Sequence, residues 1–424
     1  MGRSVSGQEN VLREASRAAP RNLLFTRDFG LVWLSQLISQ VGDGISNLAL
    51  LWFVYSITGS PVKTTIIGLL HTIPPIVLGP LIGVYVDRLP KKFFLVGSNT
   101  LRALLIGIIP CAIPTDLFTV DMLYGLVLLD AVAMAVFSPA LTSSIPLIVP
   151  RSQFTAANAL IQSTTSLGII FGPAVSGVGI SMFGSQEVLC LNALTYFLAA
   201  VCLGFIRLRS LHASSATEQA PGSAWQDFVD GVMFLVKKQR VILLLIMAAA
   251  CYGFGASALT TLFPVFAKKL LGLGPVEVGF LWSVLGIGLL LMSIVLLRFT
   301  EWNLSERTRI IAAAGVTNAV AISALVWTKD LYFVSFLMVV IGAGMGVFTP
   351  IAWGVVQELT PAPMVGRILG LYSTGAMVAA ISGISTFGWV TEHFGETTGV
   401  SSIGATFLLT ATFGALLSRS IRSR

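Results

Sequence analysis

The sequence predicts an all-α integral membrane protein: twelve transmembrane helices in two six-helix bundles, with both termini cytoplasmic. Three observations carry that prediction. The 424 residues are 55% hydrophobic and only 11% charged, with mean hydropathy +0.87, whereas soluble domains hold roughly 25% charged residues. Twelve apolar blocks approach the length of about 20 residues that a helix needs to cross a bilayer. The charges are also sorted. Only Lys63, Lys268, Lys269 and Lys329 lie in connections after odd-numbered blocks, and Arg102 lies inside a block. Every other Lys and Arg sits in the N-terminal segment, in a connection after an even-numbered block or, for Arg367, at the edge of one, or at the C-terminus, the pattern of positive residues left on the cytoplasmic side. The net charge of +7 therefore records topology, and no nucleic-acid partner is expected.

Residues 1–28 are polar and Arg-bearing without an apolar core, so they read as a cytoplasmic tail rather than a signal peptide. The N-terminal bundle, 29–206, holds spans at Leu31–Val54, Thr64–Val86, Phe93–Ile113, Phe118–Phe137, Ala157–Ser181 and Val188–Phe205. Residues 207–240 break the apolar pattern and read as a cytoplasmic linker. Near its end Trp225, Phe228, Val229, Val232 and Val236 share one helical face beside Lys237, Lys238 and Arg240, the pattern of an interfacial amphipathic helix. The C-terminal bundle, 241–418, holds spans at Val241–Phe266, Val276–Leu297, Ile310–Trp327, Leu331–Trp353, Val365–Val390 and Ile403–Leu417, followed by a tail at 419–424. Cys111, Cys190, Cys202 and Cys251 all fall in apolar blocks without ligand spacing, so they read as packing residues, and no metal is expected.

An internal repeat supports the two-bundle plan. Phe137–Gly184 aligns without a gap on Phe348–Gly395, matching Pro139 with Pro350, Pro150 with Pro361, Gly172 with Gly383, Gly177 with Gly388 and Gly184 with Gly395. Parallel six-helix repeats are one way in which a transporter places two halves about a central site. The same offset carries Asp87 to Arg298, so the charged loop described below is not repeated in the second half.

Polar residues within the spans are the candidate functional groups. Gln36, Gln40, Asp43 and Asn47 recur on one face of the first span. An Asp near mid-bilayer costs about 2.5–3.5 kcal/mol on insertion scales, so this face looks onto a water-filled cavity or serves as interhelical hydrogen-bonding glue. His71 and Asp43 each lie about 15 residues, or roughly 22 Å of helical rise, from their cytoplasmic ends and match in depth. Arg102 and Asp130 also match in depth on the third and fourth spans, and pairing would neutralise both. That pair is either a coupling site or a structural ion couple, and His71 either a proton relay or a hydrogen-bonded packing residue. Proton coupling is assigned to Asp43, Asp130, His71 and Arg102 as candidates.

The connection between the second and third spans reads Gly83-Val-Tyr-Val-Asp87-Arg88-Leu-Pro-Lys91-Lys92. It is an ordinary positive loop by charge alone. As a pattern, Gly83-x-x-x-Asp87-Arg88-x-x-Lys91-Lys92 resembles the loop signature of the major facilitator superfamily, with Pro90 where Gly is usual. The resemblance implies that Asp87 docks on the start of the eleventh helix and gates the cytoplasmic side. In the fifth span, Gly168-x-x-x-Gly172-Pro173-x-x-x-Gly177 resembles the antiporter signature of exporters in that superfamily, although Ala174, Val175 and Ser176 stand where paired glycines normally begin. The stretches GSPVKTTIIGLL, GPLIGVYVDRLPKK, SPALTSSIPLIVP and VGRILGLYSTGAM are similar to the macrolide and multidrug efflux branch.

That branch implies a bacterial inner-membrane exporter, driven by the proton gradient and using no cofactor. Its cargo would be amphipathic small molecules such as macrolide-like drugs or secondary metabolites. The resemblance also implies a cavity lined by helices 1, 4, 7 and 10, with Gln36, Gln40, Asn47, Tyr252, Phe254 and Trp353 as substrate contacts. The lipid bilayer is the surrounding partner and a monomer is expected. A siderophore exporter, a lysophospholipid carrier or an importer of the same fold are the alternatives. An enzyme is not expected, because no nucleophile elbow, phosphate loop or His/Glu/Cys cluster is present and the three histidines are scattered.

Overall fold

The computed structural model describes residues 23–86, 90–113, 118–150, 153–207, 233, 240–298, 303–360 and 364–422. The described part of the predicted linker is limited to Arg207, Met233 and Arg240, so its amphipathic stretch lies outside the described residues, as do Asp87 and Arg88.

Among the described residues, twelve helices are long and apolar enough to cross a membrane. In chain order they are α1 (Arg27–Thr58), α2 (Pro61–Val86), α3 (Lys91–Ala112), α4 (Val120–Ile148), α5 (Phe154–Phe183), α6 (Ser185–Gly204), α7 (Arg240–Lys269), α8 (Pro275–Arg298), α9 (Leu304–Ala324), α10 (Leu331–Leu359), α11 (Val365–Phe394) and α12 (Glu396–Arg422). Each predicted span has its helix, but several run further than hydropathy suggests. Pro139 and Pro146 sit inside α4, which continues eleven residues past the predicted end at Phe137. Proline removes one ladder bond, and in a packed membrane helix neighbours compensate for it. The helix α12 likewise extends through polar residues at both ends, as far as Arg422, where a tail was expected.

Helix starts follow side-chain chemistry. Thr119 accepts the Met122 amide before α4, Asp330 accepts the Phe333 amide before α10, and Asn303 with Glu306 forms a capping box at α9, each satisfying amides that lack an intrahelical partner. The repeat is visible in the backbone. At the repeat offset the bounds of Val120–Ile148 coincide with those of Leu331–Leu359, and the bounds of Phe154–Phe183 with those of Val365–Phe394. The matched pair Gly184 and Gly395 explains itself: both leave their helix with positive φ, 101° and 84°, a region glycine enters without steric cost. Their amides bond back to Ile180 and Thr391.

Two compact units emerge from the contacts. One comprises residues 1–46, 74–172 and 189–216; the other comprises 47–73, 173–188 and 217–424. In the first, Val32, Leu95, Phe137, Ala140, Leu203 and Ile206 form an apolar core. In the second, a larger core gathers Leu245, Ala248, Ile311, Val355, Ile368 and Leu417, where α7 packs on α11 and α12, α8 on α10, and α9 on α12. Large apolar side chains such as Leu104, Val320 and Phe336 point outward, a surface suited to lipid.

Candidate functional site

The first unit buries a charged cluster. Helix α3 presents Leu95, Ser98, Asn99, Arg102, Leu105, Ile106 and Ile109 on its buried face, the spacing of one helical stripe. Arg102 therefore faces inward by register. Asp130 occupies the buried face of α4 between Val127 and Ala131. Asp43 on α1 is flanked by Gly42 and Gly44, and each glycine admits a neighbour. A Cβ on Gly42 would meet Thr195 Oγ1 of α6 at 2.0 Å, and a Cβ on Gly172 of α5 would meet Gly44 Cα at 2.6 Å. Only bare backbone lets α1 lie this close to α5 and α6.

Arg102 holds the cluster together. Its Nε donates to Asp130 Oδ1 at 3.0 Å and its Nη2 lies 3.3 Å from Asp130 Oδ2. The same Nη2 donates to Asp43 Oδ1 at 2.8 Å and to the Tyr196 hydroxyl at 2.6 Å. Tyr196 donates its hydroxyl proton to Asp43 Oδ1. The Tyr196 ring also lies against the guanidinium, 4.1 Å from ring centre to Cζ, a cation–π arrangement. Arg102 and Asp130 are almost wholly buried, but the Asp43 side chain keeps 22% exposure. With both acids ionised, two carboxylates face one guanidinium, and the cluster carries one excess negative charge.

The depth match between Arg102 and Asp130 is thus a contact, and Asp43 joins it. Gln36 is buried on the same helix, with no hydrogen-bond partner for its Nε2 among the described residues. Gln40 is half-buried against the backbone of Gly168, whose Cβ position lies 2.5 Å from the Gln40 carbonyl oxygen. Asn47 is exposed and, like the half-buried His71, belongs to the second unit. Tyr252 stacks on Phe348 at 4.4 Å, meets Phe407 edge-on and donates to the Met345 carbonyl. Phe254 packs edge-on against Phe387, and Trp353 meets Tyr372 while remaining partly exposed.

Lys91 and Lys92 of the charged loop donate to the carbonyls of Ser143 in α4 and Ile206 just beyond α6, near the negative ends of those helices. Gly83 closes the last turns of α2. Pro173 lies within α5, and Gly177 meets α8 so closely that its Cβ would come 2.4 Å from the Pro275 carbonyl oxygen. No group of three or more His, Cys, Asp or Glu side chains able to hold a metal occurs among the described residues.

Tyr196 is the residue that sequence reasoning missed. A lone tyrosine in an apolar block reads as an interfacial anchor. The available signal was Asn192, one turn earlier on α6, which gives two polar groups on one face. At the repeat offset Asp43, Asp130 and Tyr196 correspond to Phe254, Ile341 and Phe407. The second half therefore carries aromatic and aliphatic side chains where the first carries the acids and the phenol.

The family model described as "Major Facilitator Superfamily" matches residues 32–384. The uncharacterised MFS-type transporter YfiS of Bacillus subtilis is 26% identical over 377 residues, covering 88% of this chain and 89% of the relative. Macrolide efflux protein A of Streptococcus pyogenes is 23% identical over 355 residues, covering 83% of this chain and 85% of the relative. Among solved structures, a bacterial homologue of the human lysosomal transporter Spinster, in an inward-facing and unoccupied conformation, superposes with TM-score 0.72 at 14% identity. It covers 93% of this chain and 97% of that one.

Proposed function

Because the chain belongs to the Major Facilitator Superfamily, we propose that it works as a proton-coupled antiporter exporting amphipathic small molecules. Membership itself makes it a multi-pass membrane transporter of small molecules rather than an enzyme. Proton coupling, cargo and direction are the proposal. The observation that carries it is the charge count at the buried cluster: two carboxylates share one guanidinium, and Asp43 is the more exposed of the two.

An unneutralised charge in a low-dielectric interior is unfavourable, so the cluster is balanced by one proton or by a cation. Asp130 accepts from Arg102 Nε and is almost wholly buried. Asp43 is the acid that takes the proton. When ionised it ties α1 to Arg102 on α3 and to Tyr196 on α6; when protonated it loses its charge and the tie weakens. A transporter whose two states bind a proton unequally is shifted between them by that proton. Gln40, half-buried on α1, extends the polar face beside Asp43 toward the cargo.

Efflux is supported by the macrolide relative and by the Gly172-Pro173 step in α5. A bacterial inner membrane, a monomeric unit and cytoplasmic termini complete the proposal, the last from the distribution of Lys and Arg. The decisive experiment compares accumulation of a macrolide and a fluorescent cationic dye in bacterial cells with and without the protein, before and after a protonophore. Lower accumulation that the protonophore abolishes supports the proposal. In the same assay Asp43→Asn is expected to lose uphill transport while remaining folded in the membrane; unchanged export would refute Asp43 as the coupling acid. No effect on any compound would refute general drug efflux and redirect the search to a dedicated metabolite, siderophore or lipid.

A further inference from the structure

We propose that the Tyr196 hydroxyl is a positioning group for the coupling step: it donates to Asp43 Oδ1 and thereby directs the incoming proton to Oδ2. This rests on Asp43 being the proton site. The inference comes from counting hydrogens. Tyr196 is 1% exposed, so its hydroxyl has no water to satisfy it and must bond to protein. It holds one hydrogen and can accept others. Arg102 Nη2 has only hydrogens to give, so at 2.6 Å it fixes the hydroxyl oxygen as an acceptor. The single phenolic hydrogen is then left for Asp43 Oδ1. The guanidinium stacked on the ring holds the phenol at this angle.

Asp43 Oδ1 consequently accepts two donors, the Tyr196 hydroxyl and Arg102 Nη2. A third hydrogen on that oxygen would meet both of them, so the proton is taken by Oδ2. No other charged group contacts Asp43 among the described residues. α3 contributes Arg102, α4 contributes Asp130 through Arg102, and α6 contributes Tyr196 with the uncharged Asn192 and Thr195. α5 contributes glycine backbone at Gly168 and Gly172. With the proton on Oδ2, Oδ1 is the carbonyl oxygen, and the hydrogen bonds it accepts lower its C=O stretching frequency, so removing the phenolic donor raises that frequency.

The test is infrared difference spectroscopy of the purified full-length protein, following the protonated-carboxyl band as pH is varied, with Asp43→Asn used to identify the Asp43 contribution. Tyr196→Phe keeps the ring and removes only the hydroxyl. It is expected to shift the Asp43 carbonyl band to higher frequency, because Oδ1 then accepts from Arg102 alone. Placing 3,5-difluorotyrosine at position 196 strengthens the phenol as a donor and is expected to shift the band to lower frequency. Opposite shifts from the two substitutions are not what a packing role would produce. The difluoro variant also preserves the hydroxyl should Tyr196→Phe fail to fold. An Asp43 carbonyl band whose frequency is unmoved by the substitutions that fold would overturn the proposal while leaving Asp43 as the proton site. A wild-type protein with no Asp43-dependent titration would overturn the coupling assignment itself, and this inference with it.

Discussion

Arg102 is the residue on which the first unit depends most. Its removal leaves Asp43 and Asp130 facing each other without a counter-charge, and breaking a buried ion pair in this way costs about 3–5 kcal/mol. Arg102→Met is expected to lower the thermal midpoint of the purified protein sharply. Combining it with Asp43→Asn and Asp130→Asn should recover most of that loss without recovering uphill transport. A single Arg102→Met variant as stable as wild type would show that the cluster adds nothing to the fold. At this scale the sequence was readable where electrostatics forces an outcome: a charge in an apolar span needs a partner, and Arg102 and Asp130 match in depth on successive helices. It was unreadable where the partner is neutral. Tyr196 pays no insertion penalty that marks it, and only the three-dimensional meeting of α1, α3 and α6 reveals what it bonds.

Helices meet here through missing side chains and borrowed caps. The Gly172 site on α5 faces the backbone of Gly44, which cannot retreat as a flexible side chain would. Gly172→Val is therefore expected to destabilise by more than the 1–3 kcal/mol typical of overpacking. Gly97→Ala, with nothing within 4 Å of its added carbon, should be neutral or slightly stabilising through helix propensity. Unfolding of both variants in one detergent tests the contrast, and equal stability would refute the close-approach account. At the start of α2, Glu392 from α11 accepts hydrogen bonds from the Ser60 hydroxyl and the Val62 amide at 2.9 Å, a cap supplied by another helix. The existence of each helix was legible from apolar run length. Helix ends were not, because hydropathy reports the lipid-crossing portion whereas backbone bonding continues through Pro139 and into the polar ends of α12.

The whole molecule is a duplicated scaffold whose buried ionic cluster, among the described residues, lies in the first half. Matched prolines and glycines made the duplication readable, and the positive φ of Gly184 and Gly395 gives the physical reason that glycine recurs at that turn. The division into compact units was not readable, because it follows contacts that cut α1, α2, α5 and α6 rather than the chain's midpoint. The charge distribution makes a topological prediction: green fluorescent protein fused after Arg424 should fluoresce, and alkaline phosphatase fused at Lys329 should be active. The reverse pattern would invert the orientation. The Arg102–Asp130 bond bears finally on synthesis of the chain. As α3 emerges from the insertion machinery, its guanidinium, which bare in lipid would cost about 2.5–3.5 kcal/mol, has only Asp43 of α1 as a counter-charge. Once α4 follows, Asp130 supplies a second carboxylate within the hairpin. A nascent chain truncated after α3 should thus integrate less efficiently than one ending after α4, and the difference should widen in an Asp43→Asn background.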